Sequence, residues 1–68
     1  MTLKDVLTEV LQSETEVQEQ LQKHKQEGFI TTTSEATQQT LLEKLEENDF
    51  YVYDTQFIDG VHRLYIEL

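Results

Sequence analysis

The dipeptide Asp59-Gly60 separates two runs that are rich in β-branched and aromatic residues. Asp-Gly favours a two-residue type I′ turn, because both turn positions need positive φ, which glycine adopts freely and aspartate tolerates. We therefore expect residues 50–68 to form a β-hairpin in which Ile58 faces Val61 and every other pair follows from that register. A hairpin of this kind is typical of a folded domain and argues against a disordered acidic tail.

The register predicts one largely apolar face and one mixed face, because successive side chains of a strand point to opposite sides. The predicted apolar face, which we expect to pack on helices with its tyrosines in the core, contains Tyr51, Tyr53, Thr55, Phe57, His62, Leu64, Ile66 and Leu68. The predicted mixed face contains Val52, Asp54, Gln56, Ile58, Val61, Arg63, Tyr65 and Glu67.

The N-terminal third of the chain is predicted to be helical from Thr2 to Glu27. Apolar residues recur there at helical spacing, first as a broad stripe and then as a narrow one. A capping-box pattern begins at Thr2, with Asp5 in place of glutamate, and a second begins at Ser13, so the segment is either one long helix, which we favour, or two helices that divide near Ser13. Gly28 is a good C-terminal stop, because glycine adopts the left-handed conformation that ends many helices.

The remaining segments complete an α+β fold. Residues 29–32 are β-rich and predict a short strand, and a second helix is expected from Ser34 to Asn48. The predicted order is α-β-α-β-β, a two-layer single domain of 68 residues in which a long N-terminal helix and the second helix pack on a three-stranded sheet. We expect the first strand, the second helix and the next strand to form a right-handed parallel βαβ unit.

The charge of the chain narrows the classes of partner. Fourteen acidic residues against five lysines and arginines give a net charge of −9, which repels nucleic acids and anionic membranes. This charge either serves solubility alone or favours a neutral or basic protein partner. The chain has no cysteine, which excludes disulfides and thiolate metal sites, and it has no long apolar run. We therefore expect a cytoplasmic protein without a membrane segment.

The residues that usually carry catalysis do not form a recognisable constellation. His24 is predicted to be a helix-end residue favoured by the dipole, or else a pH-sensitive contact between helices. His62 has no predicted carboxylate or nucleophile beside it, and Ser13 and Ser34 are interpreted as helix caps. The two histidines lie in different predicted elements and lack the ligand spacing of a zinc site. The sequence predicts no enzyme, no metal and no cofactor.

Two sets of residues are predicted to contact partners. The narrow stripe of the first helix has heptad-like spacing and would leave apolar side chains uncovered in so small a body, which predicts a helix–helix contact in a homodimer. Its residues are Val10, Val17, Leu21 and His24. The mixed hairpin face carries more apolar surface than solvent exposure requires, so it is either ordinary surface or a protein-binding patch. Its residues are Ile58, Val61, Arg63 and Tyr65.

These observations predict a small non-enzymatic protein-binding module with a regulatory, inhibitory or assembly role, acting as a homodimer. One version is an acidic inhibitor of phage or mobile-element origin, whose carboxylates mimic nucleic-acid phosphates on a basic protein site. The alternative is a winged-helix-like nucleic-acid-binding protein, since helix, strand, helix and hairpin are compatible with that plan. Against this alternative, Lys44 and Arg63 are the only basic residues of the second helix and the hairpin.

Overall fold

The computed structural model describes residues 2–68 and confirms the predicted α+β class with a small sheet and a C-terminal hairpin. It contains three helices and three strands within that range. In chain order they are α1 (Leu3–Leu11), α2 (Glu14–Glu27), β1 (Phe29–Thr32), α3 (Glu35–Glu47), β2 (Tyr51–Ile58) and β3 (Val61–Glu67). None of these helices is long and apolar enough to cross a membrane.

The N-terminal segment is two helices, so the favoured prediction of one long helix is wrong. Gln12 adopts a left-handed conformation with φ of 56°, and its N–H still donates to the carbonyl of Thr8 at 3.2 Å. Ser13 then caps α2, its Oγ accepting from the N–H of Glu16 at 3.4 Å. The Ser13 N-cap therefore prevails over the continuing helical spacing. The break lets α2 fold back on α1, which a straight helix could not do.

α1 begins with the predicted capping box. The hydroxyl of Thr2 accepts from the N–H of Asp5 at 3.2 Å, and a carboxylate oxygen of Asp5 accepts from the N–H of Thr2 at 3.0 Å. Hydrogen bonds from the backbone and then the hydroxyl of Thr2 hold the pKa of Asp5 below its ordinary value. The cap satisfies amide groups that the first turn of a helix leaves without partners.

The sheet is antiparallel throughout and its strand order is β1-β3-β2. Because both outer strands are antiparallel to β3, β1 and β2 run parallel to each other and α3 connects them, as the predicted βαβ unit requires, but they are not neighbours in the sheet. β3 inserts between the other two strands, pairing Ile30 with Leu64 on one side and Thr55 with Leu64 on the other. The connection of residues 33–50 is long enough for such a crossover, so what separates β1 from β2 is the insertion of β3 and not a short connection. This order places β3, with the buried residues Leu64 and Ile66, at the centre of the sheet.

The hairpin follows the predicted register near its turn and departs from it farther away. Asp59 and Gly60 have φ of 52° and 79°, and the pairs from Ile58–Val61 to Thr55–Leu64 are as expected. A β-bulge between Val52 and Asp54 then adds one residue, Tyr53, to β2. Beyond it the predicted pairs are wrong. Val52 faces Ile66 and Tyr51 faces Glu67, where the uninterrupted register required Tyr53 opposite Ile66 and Tyr51 opposite Leu68.

The core lies between the helices and one face of the sheet. Its buried residues are Leu3, Val6, Leu7, Val17, Ile30, Leu41, Leu45, Leu64 and Ile66. The predicted core positions of Tyr51, Tyr53 and Phe57 are wrong, since these side chains are 63%, 52% and 65% exposed. Leu68 is exposed as well, and Val52 is the β2 residue that packs against the core. β2 lies at the sheet edge, where the helices cover Val52 and leave its other residues exposed.

Candidate protein-binding surfaces

The narrow stripe that was predicted to contact a second chain packs mostly against the protein's own core. We call its residues, Val10, Val17, Leu21 and His24, the helix seam. Val17 is 1% exposed, and Val10 and Leu21 are half-buried against the core. The expectation that Val17 and Leu21 stay uncovered is wrong, because the break at Gln12 brings α2 back onto the body of the protein. Little of this seam is left for a second chain, although a contact through it stays a prediction.

His24, the fourth seam residue, ties α2 to the sheet. Its Nε2 lies 2.9 Å from the carbonyl oxygen of Ile66 in a half-buried position. A carbonyl oxygen can only accept, so Nε2 carries the proton in this contact. Gly28 supports the same junction, because its carbonyl accepts from the N–H of Ile66 at 3.2 Å. His24 therefore has a structural role at the end of β3.

The outer face of the sheet, opposite the core, carries a row of aromatic rings. Phe29 of β1 lies 5.0 Å from Tyr65 of β3, measured between ring centroids, and Tyr65 lies 6.0 Å from Tyr53 of β2. Tyr51 continues the row at 6.3 Å from Tyr53. The bulge makes this row possible, because the added residue moves Tyr53 from the predicted core face to the side of Tyr65. We call these four residues the aromatic ladder.

Two cations converge on one end of the aromatic ladder. The guanidinium carbon of Arg63 lies 4.8 Å from the Phe29 ring centroid, and Nζ of Lys23 lies 5.8 Å from it. Both distances allow cation–π attraction. Arg63 Nη1 also donates to the Tyr65 hydroxyl at 3.4 Å, and that hydroxyl donates to Gln56 at 3.3 Å. Within residues 2–68, neither cation forms an ion pair, although the chain is strongly acidic.

A cleft of about 540 Å³ opens between α2 and the hairpin, beside these two cations. α2 contributes the acidic residues Glu16 and Glu19 and the cation Lys23 to its wall, and β1 contributes threonines to its floor. The hairpin side consists of Ile58, Asp59, Val61 and Arg63. The cleft therefore combines apolar, acidic and basic groups within one concave surface.

The structure brings together three of the four predicted hairpin residues at this cleft. Ile58, Val61 and Arg63 line it, and Tyr65 is bound to Arg63 at its margin. Sequence reasoning missed Glu16, Glu19 and Lys23, because their positions depend on how α2 folds back. It also missed Phe29, whose position depends on the pairing of β1 with β3. The one available signal was Phe29 itself, a large aromatic residue directly after the helix stop at Gly28.

The groups considered for catalysis lie apart from the cleft. Ser13 and Ser34 are helix caps, Ser34 Oγ accepting from the N–H of Thr37 at 3.2 Å. His62 stacks on Phe57 with ring centroids 4.5 Å apart, on the hairpin. Over the described range, no cluster of three or more histidine, cysteine or carboxylate side chains could hold a metal ion. The cleft is thus suited to binding through charge and apolar contact.

Comparison with known proteins adds no family to this geometry. No protein-family model, curated protein or solved structure matches the chain.

Proposed function

We propose that the chain is a small non-enzymatic, cytoplasmic protein-binding module that holds a segment of another protein in the cleft between α2 and the hairpin. The cleft is the observation that carries the proposal. It joins a partly exposed Ile58 to charges of both signs in one concave surface. Protein-binding sites commonly pair an apolar centre with a polar rim.

The lining of the cleft specifies the chemistry of the partner segment. Glu16, Glu19 and Asp59 offer carboxylates to a lysine or arginine, and the net charge of −9 attracts a basic partner from a distance. Ile58 and Val61 offer apolar surface beside those carboxylates. We therefore expect a segment that carries a basic residue next to an apolar one.

Selection from a library of short random peptides displayed on phage tests this proposal. We expect the peptides selected on the wild-type chain to combine basic and apolar residues. The Ile58→Ser variant should bind them about tenfold more weakly or worse, because it removes apolar surface from the cleft without adding charge. Leu68→Ser is the matched control, since it makes a similar change at an exposed residue outside the cleft. Peptides that bind all three proteins equally would contradict the proposal.

A regulatory, inhibitory or assembly role, exerted by a homodimer, belongs to the same proposal. One form is an acidic inhibitor from a phage or mobile element that occupies a nucleic-acid site on a basic protein. Its support is the surplus of fourteen acidic residues over five basic ones. Affinity for such a partner should fall steeply with salt, because exposed charges are screened beyond about 8 Å at physiological ionic strength. An affinity that stays constant as salt rises would exclude mimicry.

A winged-helix-like nucleic-acid-binding protein is the second candidate. The break at Gln12 favours it, because it creates a pair of consecutive helices in a chain that also ends in a hairpin. The acidic first turn of α2, with Glu14 and Glu16, opposes it. An electrophoretic mobility shift with double-stranded DNA at low salt separates the two candidates. A shifted band would favour this second candidate over the protein-binding module.

A further inference from the structure

The two edges of the sheet differ in whether another part of the protein covers them. At the β1 edge, the N–H of Thr31 donates to Gln20 Oε1 of α2 at 2.8 Å, so a helix covers that edge. At the β2 edge, the alternation of hydrogen bonds from the turn directs the main-chain groups of Thr55 and Phe57 away from β3. No side chain in the described part of the protein bonds to either of those amides. The β2 edge is therefore open to another strand.

The open edge also carries unusual apolar exposure. Tyr51, Tyr53, Phe57 and Ile58 are the large exposed side chains of an eight-residue strand. Proteins commonly protect such an edge with lysine, proline or a bulge. β2 has neither lysine nor proline, and its bulge at Tyr53 leaves the stretch from Asp54 to Ile58 regular. Asp54 is the only residue of β2 whose side chain is charged at neutral pH.

We propose that the β2 edge pairs with the β2 edge of a second copy of this chain, joining two sheets into one six-stranded antiparallel sheet. A two-fold axis beside Gln56 places Thr55 opposite Phe57 of the second copy, which satisfies the outward main-chain groups of both. Asp54 then faces Ile58 of the second copy, so no two carboxylates are direct cross-strand partners. The interface is isologous, and the covered β1 edges stop further addition at two copies.

The exposed aromatic surface is large enough to contribute substantially to such a dimer. If a whole aromatic residue has about 200 Å², then Tyr53 and Phe57, which lie in or next to the paired stretch, expose roughly 230 Å² in each copy. Two copies offer roughly 460 Å², against the total of about 1,000 Å² that a specific interface needs. Ile58, Thr55, Gln56 and the strand backbone, all exposed, are the source of the remainder. We expect a reversible dimer of micromolar affinity.

The net charge predicts how this dimer responds to salt. Two copies with a charge of −9 each repel one another, whereas the proposed contact is apolar and main-chain in character. Added salt screens the repulsion and should strengthen association. A dimer held by ion pairs would respond in the opposite direction.

This inference rests on the proposed function in one respect, because it names the surface of the dimer which that function includes. Binding of a segment in the cleft does not depend on it. The peptide measurements with Ile58→Ser are made at protein concentrations below about 1 µM, where the proposed dimer is dissociated, so failure of either idea is visible without the other. Ile58 lies on β2 and also lines the cleft, so the dimer variants below use other positions.

Light scattering after size exclusion, over protein concentrations from about 10 µM to about 1 mM, measures the association. We expect the mass of the wild-type chain to rise toward twice 8.0 kDa, and to rise earlier at high salt. Phe57→Lys should keep the chain monomeric throughout, because it places a lysine on the open edge. Gln39→Lys, at an exposed position of α3, is the matched control with the same change in charge, and it should dimerise like the wild type.

Thr55→Pro is a second test, since it removes an outward N–H without adding charge. Circular dichroism and cooperative urea unfolding establish that each variant is folded. A wild-type chain that stays monomeric at every concentration and salt would overturn the proposal. Equal dimerisation of folded Phe57→Lys and Gln39→Lys would also overturn it and would move the interface to another surface.

Discussion

Gln20 accepts a hydrogen bond of 2.8 Å from the backbone N–H of Thr31, and its Oε1 also lies 3.3 Å from the Thr31 hydroxyl. A side chain of α2 therefore satisfies a main-chain N–H on the outer side of the edge strand β1. Without it the Thr31 amide would be half-buried and unsatisfied, which is costly.

Gln20→Leu should lower the free energy of unfolding by about 1–2 kcal/mol, because it removes the acceptor and leaves the Thr31 N–H without a partner. Urea denaturation followed by circular dichroism measures the change. Gln22→Leu, at an exposed position of the same helix, is the control and should alter stability little. Equal effects of the two substitutions would contradict a specific role for Gln20.

Val17→Ala should cost about 2 kcal/mol of stability, because the side chain is 1% exposed and its loss leaves a cavity. The same measurement on Thr15→Ala, an exposed residue in the first turns of α2, gives the reference. A neutral Val17→Ala would indicate that this valine lies on a surface, as the predicted helix seam required.

Asp5 should make the stability of the chain depend on pH in the acid range. Its folded-state pKa lies below the ordinary value, so its contribution is present above the unfolded pKa, about 4, and is lost as pH falls through the folded value. Asp5→Asn should therefore destabilise the chain at neutral pH, and its difference from the wild type should vanish in strong acid. Urea unfolding from about pH 7 to about pH 2 measures this difference.

Glu9→Gln is the control for that profile, because it removes the same charge from α1 without touching the cap. Its difference from the wild type should vary less over the same pH range than that of Asp5→Asn. A pH profile identical for the two variants would show that net charge, and not the capping box, causes the effect.

Deletion of Tyr53 should leave the chain folded. Val52 already pairs with Ile66, and Asp54 with Tyr65, so removing the added residue restores a regular ladder between them. The loss is the Tyr53–Tyr65 contact at 6.0 Å, worth about 1 kcal/mol. Cross-strand proton NMR contacts between Val52 and Ile66 measure the register. Their absence in a folded variant would show that the extra residue lies elsewhere.

The local features of this fold were predictable from sequence. The turn at Asp59-Gly60, the stop at Gly28 and the caps at Thr2 and Ser13 each depend on residues close in the chain. Features that depend on distant partners were not. The bulge at Tyr53 has no local marker, and it reversed the expected faces of Tyr51 and Tyr53.

The residues of the candidate site likewise include some that the sequence predicted and some that it did not. Ile58, Val61 and Arg63 follow from the turn register, and the cleft contains all three. Glu16, Glu19 and Lys23 reach the cleft only because the helix breaks at Gln12 and α2 folds back, at a point where the capping signal of Ser13 competes with a continuing helical pattern. Without the direction of α2, the opposite wall of the cleft could not be placed.

The position of β3 at the centre of the sheet has a consequence for synthesis of the chain. β1 and β2 both pair with β3 and not with each other, yet both are translated before it. Neither flanking strand has a sheet partner while the ribosome is still making β3, so the helices can form early but the sheet must close late. Phe29 meets Tyr65 only across a long stretch of intervening chain, and this distant pairing is the step that should limit the folding rate.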